Sequence, residues 1–124
     1  MTPLIINQSV DSPSIHLDRD KEIFEIKGMS LPEDAIKFFE PVLIWLSEYI
    51  KNPNESTHFV FRLEYFNSAS VKEVIEILCE LEKLIPLKKK ITVDWYYSKD
   101  DEMMEQKARE FMIIVAIPFN LISY

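Results

Sequence analysis

Glycine occurs once in the 124 residues, as Gly28. Loops of the GxGxxG or P-loop kind need several glycines to bring backbone amides against a phosphate, so that mode of nucleotide binding is excluded. Cysteine also occurs once, as Cys79, so no internal disulfide can form. Its place in an apolar helical pattern marks it as an inert core residue. The two histidines, His16 and His58, lie far apart, with no cysteine or carboxylate at ligand spacing. That argues against zinc. No GxSxG elbow exists to make Ser68 or Ser70 a hydrolytic nucleophile. No apolar run reaches the roughly 18 residues of a membrane span. The first residues lack a basic stretch followed by an apolar one, so no signal peptide is expected and the cytoplasm is the expected location. Basic residues are outnumbered, 14 Lys and Arg against 21 Asp and Glu, for a net charge of −7. Neither nucleic acid nor an anionic membrane surface suits such a chain.

What the chain does have is apolar and patterned. Hydrophobic residues make up 48%, enough for one globular domain over residues 1–124 with a real core. Trp45 and Trp95 are expected as core or interface anchors. The central stretch is Phe59–Glu73. Phe59, Phe61, Leu63 and Tyr65 alternate with Val60, Arg62, Glu64 and Phe66, which predicts a strand. Asn67-Ser68-Ala69-Ser70 then forms a small polar turn before a helical apolar pattern. Ser70 and Glu73 have the spacing of a capping box, in which the serine hydroxyl accepts from a first-turn amide and the carboxylate reaches back. Ser68 falls outside that cap. It is either a plain turn residue or a hydroxyl well placed to carry a phosphate, since a helix start offers positive dipole and free amides.

Element types alternate along the rest of the chain. Leu4–Ile6 reads as an edge strand. Ile15–Leu17 and Ile23–Lys27 flank a charged connection as a hairpin, ended by Gly28. Ser30 and Glu33 repeat the capping-box spacing before a helix carrying Ala35, Ile36, Phe39, Val42, Leu43, Leu46, Tyr49 and Ile50 inward. Pro41 is expected to kink or divide that helix. The second helix turns Val71, Val74, Ile75, Leu78, Leu81 and Ile85 inward and Glu73 outward, and Pro86 ends it. Ile91–Tyr97 forms a strand, residues 98–112 a helix opened by acids, and Pro118–Ile122 a last strand. This order predicts an α/β fold, a mixed β-sheet with helices packed mainly on one face. In such sheets the carboxyl ends of strands carry the sites, here the turns 67–70 and 98–102.

Asp94, Asp100, Asp101, Glu102 and Glu105 admit a hard-cation site, and with it a small metal-dependent enzyme. Their spacing matches no metal motif, and acids suit a helix start, so the second reading is a solvated first turn.

Several motifs resemble one bacterial family, the SiaC-like regulatory phosphoproteins. They are Thr2-Pro3, Gly28-Met-Ser-Leu-Pro-Glu-Asp34, Phe38-Phe39 with Pro41, Leu63-Glu-Tyr-Phe-Asn-Ser-Ala-Ser-Val-Lys72, and Val93-Asp-Trp-Tyr-Tyr97 followed by Asp100-Asp-Glu102. The resemblance implies a STAS-like fold of the anti-anti-sigma type and a switch with no catalysis or cofactor of its own. It places a phosphorylation site at Ser68, the first hydroxyl after Tyr-Phe-Asn. Tyr65, Phe66, Asn67, Ala69, Ser70, Lys72, Asp100 and Asp101 then surround the phosphosite or bind partners. The implied partners are a protein kinase, a PP2C-type phosphatase and a diguanylate cyclase that the unphosphorylated form activates, in cyclic di-GMP and biofilm signalling. A non-phosphorylated interaction domain is the bland counterpart of this reading.

Overall fold

The computed structural model describes residues 1–124. The strands are β1 (Leu4–Ile6), β2 (Ser14–Asp18), β3 (Ile23–Ser30), β4 (Ser56–Phe66), β5 (Lys90–Tyr97) and β6 (Phe119–Ser123). The helices α1 (Ala35–Lys51), α2 (Ser68–Glu82) and α3 (Glu102–Ile114) each link successive strands from β3 onward. All six strands form one sheet in the order β1-β2-β3-β4-β5-β6. The first three pair antiparallel and β3 to β6 pair parallel. Each parallel crossover therefore steps one strand in the same direction. Right-handed crossovers taken in one direction lay every helix on the same face.

The burial pattern follows. Ile15, Leu17, Phe24, Ile26, Phe59, Phe61, Leu63, Ile91, Val93 and Trp95 are buried beneath the helices. Glu25, Lys27, His58, Arg62, Asp94, Tyr96 and Asn120 occupy the intervening positions and stay partly or fully exposed. Parallel strands covered on both faces read as continuous apolar runs. Here only one face is covered, so β4 and β5 alternate. On the open face the Arg62 guanidinium lies 4.5 Å from the Tyr124 ring centroid and 5.4 Å from that of Tyr96. No helix is long and apolar enough to cross a membrane.

Several local expectations fail for identifiable reasons. β3 does not end at Gly28. It runs through a bulge between Gly28 and Met29, where Gly28 takes a φ of +114° that side chains disfavour. A Cβ there would meet the Gln8 side chain at 3.0 Å. Ser30 caps no helix, because it belongs to β3, and Asp34 caps α1 by accepting from the Lys37 amide. Pro41 does not divide α1. Ile36 is exposed, since the buried stripe of α1 runs through Ala35, Phe39, Val42, Trp45, Leu46 and Tyr49. α2 stops at Glu82, before Pro86. Its buried stripe passes through Ser70, Glu73, Val74, Ile77, Leu78 and Leu81, which leaves Ile85 and Cys79 exposed. Cys79 is thus a surface residue and not a core one. Partial desolvation, then the carboxylates of Glu82, Glu76 and Glu80, push its thiol up and keep it a poor nucleophile.

Candidate functional site

The junction of β4 and α2 departs from strict alternation. Leu63 pairs with Gly28 and Tyr65 with Met29, so Glu64 is skipped in the register. Two successive side chains, Glu64 and Tyr65, therefore face solvent. Phase is then reversed for Phe66. Period two places it on the open face, but it is buried, 6.0 Å from the Trp95 ring and 6.3 Å from that of Phe111. Tyr65 takes the opposite fate, at 51% exposed. The bulge thus anchors the turn through Phe66 and offers Tyr65 at its rim.

Asn67 is the N-cap of α2. Its side chain accepts from the Ser70 amide at 2.9 Å, and its own amide donates to the Ser30 carbonyl at 3.1 Å. The predicted Ser70–Glu73 box does not form. Ser70 sits in the first turn, fully buried, where its hydroxyl donates to the Ser30 carbonyl at 3.1 Å and accepts from the Ser30 hydroxyl at 2.8 Å. The cap lies three residues earlier than the motif suggests because asparagine caps as well as serine. Ser68 becomes the first residue of the helix, exposed, beside first-turn amides that have no carbonyl of a preceding turn to bond.

Ser68 opens onto a cleft of about 400 Å³ between the α2 and α3 starts. Tyr65, Phe66, Asn67, Ser68 and Val71 line one side, and Asp101, Met103, Met104 and Lys107 the other. These ends meet because β4 and β5 are adjacent and parallel, so both carboxyl ends emerge at one edge. Asp101 caps α3, accepting from the Met104 amide at 3.1 Å. Of the residues expected around the site, the structure gathers Tyr65, Phe66, Asn67, Ser68 and Asp101. Asp100 is exposed in an adjoining depression with Ser98 and Glu102, which shares Asp101 and Met103 with the cleft. Ala69 borders another depression, with Glu33 to Lys37 at the start of α1. Lys72 is exposed outside the cleft. Val71, Met103, Met104 and Lys107 also line the cleft, although in the sequence they stand only in helical patterns. Met103 and Lys107 at i and i+4 were the available signal, since that spacing shares a helix face.

The acidic run 94–105 is not one cluster. Asp94 lies on the open sheet face, where it accepts from Asn120 at 2.9 Å and contacts His58 at 2.5 Å. Parallel pairing thus supplies His58 with the carboxylate that sequence spacing did not. No group of three or more His, Cys, Asp or Glu side chains assembles as a ligand set.

Glu73 is 4% exposed. Desolvation and then the Glu76 charge raise its carboxyl pKa above the ordinary value, with Lys72 opposing. A raised carboxyl binds its proton more tightly folded than unfolded, so ionising it lowers stability as pH rises through its range. Glu73→Gln is expected to melt higher than the unmodified chain at pH 7. In thermal melts the advantage should shrink as pH falls toward 4 and both side chains become neutral.

The chain matches the model of the SiaC family of regulatory phosphoproteins over residues 6–124. It is 26% identical to an uncharacterized protein of Pseudomonas aeruginosa strain UCBPP-PA14, covering 98% of this chain and 96% of that one. The fold superposes on SiaC of Pseudomonas aeruginosa with a TM-score of 0.90 at 24% identity, covering all of both chains. It also matches a chain in the crystal structure of the diguanylate cyclase SiaD with its activator SiaC, with a TM-score of 0.90 at 25% identity. That match covers 98% of this chain and 99% of the other.

Proposed function

This chain belongs to the SiaC family of regulatory phosphoproteins, and on that basis we propose that it is a phosphorylation-controlled, partner-binding switch in cyclic di-GMP signalling. Ser68 is the residue modified. A protein kinase adds the phosphate and a PP2C-type phosphatase removes it. The unmodified form binds and activates a diguanylate cyclase in the cytoplasm, raising cyclic di-GMP and favouring biofilm growth. The chain performs no reaction itself.

The observation that carries this reading is the position of Ser68. Its hydroxyl is exposed at the first residue of a helix, over a cleft whose rim is apolar and accessible. Tyr65 is 51% exposed and Met103 78%. Tyrosine supplies large contact area with little rotamer freedom to lose, and methionine adapts to the shape it meets. A neutral rim of this kind suits a partner, and a phosphate set into it changes its charge by about −1.5 to −2. The likeness to a chain captured with a diguanylate cyclase supports the choice of partner class.

The test is direct. The purified chain is added to a diguanylate cyclase from the same organism and cyclic di-GMP synthesis is measured. Synthesis is expected to rise several-fold and to saturate near one equivalent. If no cyclase of that organism binds or responds, the output is a different protein.

A further inference from the structure

We propose that Lys107 is the cation that receives the phosphate of a Ser68-phosphorylated chain, leaving Glu110 and pinning α3 to the β4–α2 turn. The inference rests on the reading of Ser68 as the modified residue. Lys107 is the one basic side chain lining the cleft onto which Ser68 opens. Its present partner is dispensable. The Lys107–Glu110 pair spans 3.2 Å with side chains 40% and 47% exposed, and ion pairs that open to water contribute little.

The cleft also needs a cation once it is phosphorylated. Asp101 faces the same space, held there by its bond to the Met104 amide. A phosphate would bring about −1.5 to −2 charges next to that carboxylate. The start of α2 contributes only about half a positive charge and its free amides. Without Lys107 the cleft would hold two anionic groups against no more than that half charge. The competing cation is Lys72, one turn along α2 from Ser68. It shares the helix face at i+4, but it lies outside the cleft. With Lys107 engaged, the phosphate bridges the starts of α2 and α3 across the cleft that Tyr65 and Met103 line. Phosphorylation then masks the rim rather than merely repelling a partner.

The test uses the full chain with phosphoserine installed at position 68 during translation, so that neither kinase nor cyclase is required. The second ionisation of the phosphate is followed by phosphorus NMR. Asp101, Tyr65 and Lys107 are the titratable groups facing it. In the unaltered chain it should fall below the free value of about 6. Lys107→Gln should raise it by about half a unit or more, as expected for loss of a nearby opposite charge. Lys107→Arg should retain the lowered value, and Lys72→Gln should leave it unchanged. Unphosphorylated Lys107→Gln should melt like the parent, which excludes damage to the fold. Equal values in the parent and Lys107→Gln, or a shift that follows Lys72, overturns the proposal. A phosphate that titrates as expected on a chain whose cyclase response ignores phosphorylation would instead sink the reading of Ser68 as the switch.

Discussion

Stoichiometric phosphorylation of Ser68 is expected to weaken binding of the diguanylate cyclase by at least about tenfold, equivalent to about 1.4 kcal/mol. Ser68→Ala is expected to bind like the unmodified chain and to resist the kinase. The reason is local. Ser68 is exposed and its hydroxyl holds nothing together, so removing it costs the fold little. Adding a phosphate brings about −1.5 to −2 charges to the cleft of a chain that already carries −7, and ties up the rim that a partner would meet. Ser68→Asp should fall between the two, because one carboxylate brings less charge and fewer acceptor oxygens. Calorimetry on the three forms measures this. Equal affinity of the phosphorylated and unmodified chains would rule Ser68 out as the switch, since a modification without differential affinity shifts no equilibrium.

Ser70→Ala should cost about 1–3 kcal/mol of stability, the range for leaving a buried polar group unpaired. The Ser30 hydroxyl donates to Ser70 at 2.8 Å, and both residues are 0% exposed, so after truncation no water can replace the lost acceptor. The Ser30 carbonyl fares better, because the Asn67 amide still donates to it. The double variant Ser30→Ala/Ser70→Ala should therefore be less destabilised than the sum of the single ones, a coupling a double-mutant cycle resolves. Asn67→Ala should show the cost of a lost cap, about 1 kcal/mol, with no coupling to the Ser30 hydroxyl. Strictly additive denaturation midpoints for Ser30→Ala and Ser70→Ala would show that the hydroxyl pair is not a unit. Phosphorylation of Ser68 should survive the Ser70 change, because Ser70 faces inward.

Local chemistry explains why the fold class was readable. Alternation in β4 and β5, the helical stripes around Phe39 and Val74, and the absence of long apolar runs all follow from one covered sheet face. The junction that holds Ser68 was readable too, because small polar residues between a strand and a helix mark a helix start whichever neighbour caps it, although Ser68 opens α2 rather than lying in a turn before it. What failed locally shares a cause. A capping box names two residue types at a spacing but does not say where the preceding strand stops. β3 extends to Ser30, and Asn67 is available at the start of α2, so both predicted boxes lost to better-placed caps. Cys79 was misplaced because a helical stripe read one position out of phase exchanges its buried and exposed edges.

By itself, the sequence determined the order of strands and helices, the strand-to-helix junction at which Ser68 stands, and the exclusion of glycine-loop and disulfide chemistry. These depend on neighbours within a few residues. Only the tertiary structure decided the phase of β4, where the bulge against Gly28 and Met29 turns Tyr65 outward and Phe66 inward. Only it set Lys107 in the cleft with Ser68, paired His58 with Asp94, and left Lys72 outside the cleft and Asp100 in an adjoining depression. The physical reason is that strand register and parallel pairing are set by how two separately folded segments pack, and their side chains lie 30 or more positions apart. No pattern within one helix or strand carries that distance.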